Sequence, residues 1–332
     1  MRTELNGMGT KIVGTGSYVP ERIISNEQLE SFLDTSDEWI QSRTGIKERR
    51  ISDTEDTSDL CAKAAQRILE NAGVDAEKVG FVIVATMSPD FLSPSTASLV
   101  QDKIGAHTVM SFDVNAACSG FIYALSIAEK LMQSGSFRYG LVLGGEVMSK
   151  IVDWNDRSTA VLFGDGAGGV LLEHTSEDSF VLGEDIHADG SRGEALTAGK
   201  VEFSEKWGPQ PSKALDLLQM DGRSIFDFAI RSVPKSITDL TEKTGTQFED
   251  VEYIIAHQAN YRILKAIAKK LKVPVELFAS NIYKYGNTSA ASIPILLDEL
   301  VAGGELVLGS NKKVILTGFG GGLTWGSMLI QL

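Results

Sequence analysis

Three residues combine a reactive side chain with neighbours that suit acyl chemistry: Cys118 in DVNAACSGF, His257 in YIIAHQAN and Asn287 in YGNTSAAS. Alanine, serine and glycine surround Cys118, so a ligand or another backbone can come close to it. It falls where the strand VMSFDV runs into a long apolar helix, NAACSGFIYALSIAEKLMQSG. Unpaired N–H groups and the helix dipole at such a junction favour a thiolate, a nucleophile for acyl groups. A small core residue in a tightly packed helix is the alternative, and position alone does not separate the two. His257 follows a buried strand and precedes the helix RILKAIAKKL, on the crevice side of an α/β sheet. A helix N-terminus there disfavours imidazolium and leaves a neutral ring able to donate a hydrogen bond; otherwise His257 is a surface residue at a strand end. Taken alone, Asn287 reads as a helix cap. In GFGGGLTWG, Gly318 to Gly326, three consecutive glycines follow the strand KKVILT. They either bring backbone N–H groups up to a ligand oxygen, as an oxyanion hole requires, or form a flexible hairpin turn. GDGAGG, Gly164 to Gly169, has the letters of a dinucleotide fingerprint, but the strand VLLE follows instead of a helix. It reads as a turn between strands.

These residues need a frame, and the chain predicts an α/β one. TKIVGTGSYVP is a strand; TSDEWIQSRTG opens a short helix, with Thr35 and Glu38 in capping-box spacing. DTSDLCAKAAQRILENAG is an amphipathic helix closed by Asn71 and Gly73, in which Cys61 is a core residue. VGFVIVAT, YGLVLGGE and STAVLFGDGAGGVLLE read as further strands, the apolar runs marking strands buried on both faces. The second half repeats the first. Val79–Thr86 resembles Val251–Gln258 (251 − 79 = 172), and Asn115–Ser119 resembles Asn287–Ala291 at the same offset. Phe163-Gly-Asp-Gly also resembles Phe319-Gly-Gly-Gly, at 319 − 163 = 156, as an early insertion in each half and a trimmed second half would produce. Two similar α/β halves about a pseudo-twofold axis follow, residues 1–178 with the cysteine and 179–332 with His257 and Asn287. The axis would bring the three residues together. A stretch of low periodicity, about 187–222, is expected to be a long loop.

The chain has 332 residues, 43% of them apolar and 23% charged, the composition of a globular protein. Its formal net charge of −13 argues against nucleic acid as a general partner. No apolar run reaches the length of a membrane span, and the N-terminus lacks the pattern of a secretion signal. Two cysteines make no disulfide framework, and four scattered histidines make no metal site, so a reducing cytoplasm is the expected location.

TSDEWIQSRTGIKER, DVNAACSGF, FGDGAG, HQANYRI, GNTSAASIP and GFGGGLTWG, in this order, resemble the motifs of the β-ketoacyl-[acyl-carrier-protein] synthase III family. The resemblance runs from about Thr10 to the C-terminus. It implies a thiolase-like fold with layers αβαβα and an initiating condensing acyltransferase of fatty acid synthesis, assembled as a homodimer. By that resemblance Cys118 accepts an acyl group from coenzyme A, with acetyl-CoA the expected starter. Malonyl-acyl carrier protein then loses carbon dioxide and condenses with it. His257 and Asn287 would donate hydrogen bonds to the enolate, and the N–H groups of Cys118 and Gly321 would form the oxyanion hole. Trp39, Arg43 and Arg157 match positions for the adenine and phosphate end of coenzyme A. Thr35, Gly222, Phe226 and Asn260 match positions along its pantetheine tunnel. No cofactor is implied, since coenzyme A enters as part of a substrate.

Arg262, Lys265 and Lys269 fall on one helical face, with Lys270 and Lys272 nearby, and would steer an acidic carrier protein to an otherwise acidic molecule. The chain departs from some family members at Asp227, where they carry a basic residue, and at Ser93, where they carry phenylalanine before the proline. The first bears on carrier docking and the second on the size of the acyl pocket. Cys-His-Asn also describes papain-like hydrolases, but those are typically secreted with disulfides. A non-catalytic carrier-binding module would leave the complete set of three unexplained.

Overall fold

The protein is described here from a computed structural model, which covers residues 9–200 and 216–332. The first half contains β1 (Gly9–Tyr18), α1 (Asp37–Thr44), α2 (Thr57–Ala72), β2 (Val79–Ala85), α3 (Thr96–Lys103), β3 (Met110–Val114), α4 (Gly120–Gln133), β4 (Tyr139–Glu146) and β5 (Gly166–Thr175). The second contains β6 (Val181–Ala188), α5 (Gly222–Thr244), β7 (Val251–Ala256), α6 (Tyr261–Leu271), α7 (Ser292–Ala302), β8 (Lys313–Gly320) and β9 (Thr324–Gln331).

The first sheet has the order β1-β5-β4-β2-β3, with β4, β2 and β3 parallel and β5 antiparallel to both neighbours. The second has the order β7-β8-β9-β6, with β7 and β8 parallel. Where the first sheet has β3, the second has only a parallel bridge between Ile254 and Phe278. Between the sheets lie α4 and α7, each touching strands of both halves, while α2 and α5 cover the two outer faces. The layers therefore run αβαβα. A helix packed between two sheets must be apolar nearly all round. That is why Phe121, Ile122, Leu125, Ile293, Leu296 and Leu297 are all buried in one cluster.

The repeat in the sequence is a repeat in the fold. β2 and β7 begin at positions 79 and 251, α4 and α7 at 120 and 292. α2 and α5 both end at a left-handed glycine, Gly73 (φ 64°) and Gly245 (φ 67°), a backbone only glycine adopts freely. The offset between matching strands falls from 174 (313 − 139) to 158 (324 − 166) because the β4–β5 connection runs from Val147 to Asp165, whereas β8 and β9 are joined by Gly321–Leu323 alone; Phe163, in that connection, and Phe319, on β8, are therefore not matching positions.

Four local expectations are corrected. α1 is capped by Ser36, whose hydroxyl accepts from the Trp39 N–H at 3.1 Å, and the Thr35 hydroxyl is buried with no partner among the described residues. Arg157–Ala160 is a helical turn and β5 starts at Gly166, so STAVLF is not a strand; the Asp156 carboxylate caps that turn by accepting the Ser158 N–H. GDGAGG is not a turn: the Gly164 and Asp165 N–H groups donate to the Asn287 and Arg50 carbonyls, and Gly166 begins β5. Finally, the stretch about 187–222 is not one loop. His187 and Ala188 end β6, Gly190–Ala195 form a 3-10 turn, and Leu196–Thr197 pair with Gln219–Met220. Residues 201–215 lie outside the described part.

Candidate active site

Cys118 follows β3 in a 3-10 turn, Ala117–Ser119, that leads into α4. The matching turn, Ser289–Ala291, leads into α7. Each is started by an asparagine: the Asn115 Oδ1 accepts the Ala117 N–H at 3.2 Å, and the Asn287 Oδ1 accepts the Ser289 N–H at 2.9 Å. Each then turns sharply, at Ala117 (φ 45°) and Ser289 (φ 47°), in the left-handed region that L residues seldom enter. The two turns meet between the halves. Asn287 is therefore both the turn residue its sequence suggests and a member of the site. With Oδ1 taken by Ser289, its NH2 is left as a donor, and no partner holds it among the described residues.

Cys118, His257 and Asn287 line one cavity of about 210 Å³, with Gly222, Phe226 and Asn260 further along it. Cys118 is 4% exposed, and burial pushes its thiol up to about 12. The expectation of a resting thiolate is thus corrected. The turn into α4 favours the anion, but removing the sulfur from water costs more, and the resting group is a thiol. His257 follows β7, fully buried, and burial lowers its pKa to about 3, so its ring is neutral as expected. Its Nδ1 lies 2.7 Å from the Ser292 Oγ, which also reaches the Ser289 carbonyl at 2.9 Å. The Ser292 hydroxyl has one hydrogen to give: donated to the Ser289 carbonyl, it leaves the ring proton on Nδ1, and turned to Nδ1 it leaves the proton on Nε2. Neither Ser289 nor Ser292 was singled out from the sequence, although both stand in the GNTSAAS motif.

The glycine-rich segment closes the site from β8. A side-chain carbon at Gly320 would stand 2.8 Å from the Cys118 Cβ and 3.2 Å from its sulfur, so only glycine lets this strand end pass the nucleophile. GFGGGLTWG is indeed a hairpin, and it is packed against Cys118; Gly321 begins its turn, against Ala117.

At the outer end, Trp39 on α1 carries Arg43 at 5.9 Å and Arg157 at 5.1 Å from its ring centroid, a stack of two cations on one indole. Asn260 caps α6 through the Arg262 N–H at 2.8 Å and donates to the Arg43 carbonyl at 3.0 Å, which ties this rim to the cavity. Thr35 lies nearby, just ahead of the Ser36 cap. The side chains of Arg262, Lys265, Lys269 and Lys270 on α6 and of Lys272 just after it are exposed, and none of them forms a salt bridge among the described residues. Asp227 is half-buried on α5, and Ser93 is exposed beside the exposed Phe91 and Leu92. No helix of the described residues is long and apolar enough to cross a membrane.

Comparison with known proteins agrees with this architecture. Residues 112–190 match the family described as 3-oxoacyl-[acyl-carrier-protein (ACP)] synthase III, and residues 241–332 match its C-terminal part. The chain is 54% identical to the β-ketoacyl-[acyl-carrier-protein] synthase III of Streptococcus mutans, over 97% of this chain and 99% of the relative. It is also 54% identical to that of Enterococcus faecalis, over 97% and 98% of the two chains. Among solved structures, 3-oxoacyl-[acyl-carrier-protein] synthase III from Aquifex aeolicus superposes with a TM-score of 0.90 at 44% identity, covering 98% of this chain and all of that one.

Proposed function

The chain belongs to the β-ketoacyl-[acyl-carrier-protein] synthase III family, and from that premise we propose that Cys118, His257 and Asn287 carry its reaction. The protein is a condensing acyltransferase that initiates fatty acid synthesis. An acyl-CoA gives its acyl group to the enzyme; malonyl-acyl carrier protein then loses carbon dioxide and condenses with it to yield 3-oxoacyl-acyl carrier protein. The observation that carries the residue assignment is the meeting of a buried thiol with two neutral donors in one cavity.

In this reading Cys118 is the acyl acceptor, and acetyl-CoA is the starter. Decarboxylation leaves an enolate, and an enolate is stabilised best by fixed donors that need no reorganisation. The Asn287 NH2 is one, since its other amide atom is engaged by the turn. His257 Nε2–H is the other, in the tautomer formed when the Ser292 hydroxyl turns from the Ser289 carbonyl to donate to Nδ1. Because burial keeps His257 neutral, it neither takes the substrate proton nor repels a cationic neighbour. The Cys118 and Gly321 N–H groups receive the oxygen of the tetrahedral intermediate. Coenzyme A lies along Gly222, Phe226 and Asn260, past Thr35, with its adenine and phosphates on Trp39, Arg43 and Arg157. No separate cofactor enters this scheme. The exposed cations of α6, Arg262, Lys265, Lys269 and Lys270, receive the carrier protein, and Asp227 alters part of that footprint.

We also assign a homodimer, in which two copies meet along β3. Its outer edge pairs with no strand among the described residues, and Met110, Phe91 and Leu92 are exposed on that side. An uncovered edge beside apolar side chains is a template for a second copy. The site assignment is tested by intact-protein mass after incubation with acetyl-CoA. One added acetyl group is expected on the unaltered protein and none on Cys118→Ala. An unmodified wild-type protein with acetyl, branched and longer acyl-CoAs alike would remove Cys118 from the role.

A further inference from the structure

The donors of an oxyanion hole must stand still, because each one helps only at the place where charge develops. The Gly321 N–H is hard to hold in this way. Gly321 is the middle one of three consecutive glycines, Gly320 to Gly322, the backbone with the most freedom to turn. It is buried, yet its N–H donates to no oxygen among the described residues. A buried N–H in that condition is rare and calls for a use. The turn is therefore held by what lies on either side of it. Before it, Gly320 passes the nucleophile in close contact. After it, Leu323 exchanges two backbone hydrogen bonds with Asp189, at 2.8 and 2.9 Å.

Thr324, the first residue of β9, adds a further tie, and this one reaches the nucleophile turn. Its hydroxyl oxygen is 2.8 Å from the Gly321 carbonyl oxygen and 3.0 Å from that of Ala116. Ala116 opens the turn that carries Cys118, and its carbonyl also accepts the Ser119 N–H at 3.0 Å. The Thr324 hydroxyl has one hydrogen, set between two carbonyls that belong to the two sides of the oxyanion hole. Ser119, next to the nucleophile and fully buried, returns the contact. Its hydroxyl donates to the Thr324 carbonyl at 2.9 Å and lies 3.2 Å from the Thr324 hydroxyl, across 205 positions of the chain. Local structure requires neither hydroxyl. Ser119 precedes α4, but its side chain caps no helix N–H. Thr324 stands opposite Gly320 in a β ladder, where valine would serve equally well.

We propose that Thr324 and Ser119 form a hydroxyl clamp that fixes the Gly321 N–H relative to the Cys118 N–H and so sets the strength of the oxyanion hole. This rests on Cys118 being the acyl acceptor and on those two N–H groups receiving the oxygen. The donors come from different halves of the molecule, so without a tie each would follow the movement of its own sheet. Both hydroxyl residues are positioning residues, acting through Gly321 and the Ala117–Ser119 turn.

The test measures single-turnover acetylation by acetyl-CoA in Thr324→Val, which keeps the shape and loses the hydroxyl, in Thr324→Ser, which keeps the hydroxyl, and in Ser119→Ala. At saturating acetyl-CoA, Thr324→Val and Ser119→Ala are expected to react about a hundredfold more slowly, the effect of misplacing a reacting group by about 1 Å. The half-saturating concentration of acetyl-CoA should not change, and Thr324→Ser should recover the rate. Infrared spectra with isotope-labelled acetyl-CoA supply a signature that lost packing would not. The thioester carbonyl band of the acetylated protein should move to higher frequency in Thr324→Val, as its oxygen loses hydrogen bonding, and return in Thr324→Ser. If Thr324→Val acetylates at the unaltered rate with its band in place, the Asp189 bonds hold the turn alone and the clamp is wrong, while Cys118 keeps its role. A slow Thr324→Val that Thr324→Ser does not rescue overturns the clamp as well. If the unaltered protein takes no acetyl group at all, both readings fall together.

Discussion

Burial does more to His257 than any neighbouring group does. The Ser289 carbonyl favours the charged ring, but the loss of water outweighs it and the pKa falls to about 3. An unfolded histidine titrates near 6.5, so between about pH 6.5 and 3 the unfolded chain binds a proton that the native protein refuses. Stability contributed by the neutral ring is complete above pH 6.5 and is lost as the pH falls, by up to about 1.4 kcal/mol per pH unit. Urea unfolding of His257→Gln and the unaltered protein at pH 7.5 and 5 should show the substitution reducing the acid-side loss; equal losses would mean that this ring does not set it. Cys118 was legible because its small neighbours and its position ahead of an apolar helix are local facts. Glu146 was not, because in YGLVLGGE it reads as the polar end of a strand. Its buried carboxyl group takes hydrogen bonds from Thr86, Met87 and Ser88, which only the fold sets around it.

Elements were read best where periodicity and a terminator agreed. α2 shows both, with Asp56 and Asp59 in a capping box and Gly73 at its end. The run Thr35-Ser36 offered two possible caps, and the choice went to the residue whose extended backbone aims its oxygen at the Trp39 N–H. STAVLF looked like a strand from its composition, yet a cap at Asp156 was enough to start a helical turn. The basic face of α6 was visible from spacing alone, since three to four residues make one turn. Its function is testable as an element: Arg262→Glu with Lys265→Glu should raise the KM for malonyl-carrier protein by about tenfold at low salt. The effect should shrink at high salt, where exposed charges are screened, and acetylation by acetyl-CoA should be unchanged. An unchanged KM would place the carrier elsewhere. At the end of β8, Gly320→Ala should abolish acetylation of Cys118 in a protein that still folds, measured by intact mass beside a circular dichroism spectrum. Normal acetylation would show that the contact between strand and nucleophile is not required.

Across the whole molecule, the pseudo-twofold repeat is what turns distant residues into one site. Two turns of the same shape, each begun by an asparagine, face one another between the sheets, and the nucleophile stands in one while Asn287 stands in the other. The packing that holds them is unforgiving. Gly144→Ala would drive a methyl group into the Ala290 carbonyl, and overpacking of this kind costs about 1–3 kcal/mol. Urea denaturation should show that loss, together with slowed acetylation as the Ser289 turn is displaced; an unchanged midpoint would mean that the two halves can part without cost. The sequence by itself determined the α/β alternation, the duplication, and the residue types that suit acyl transfer, because strand length, helical period, capping and small-residue clusters are written within a few positions. The tertiary structure alone decided the burial of Cys118, the free end of the Asn287 amide and the set of donors around Glu146. Those depend on what is kept from water and on which groups from distant segments face one another, and neither is encoded in local spacing.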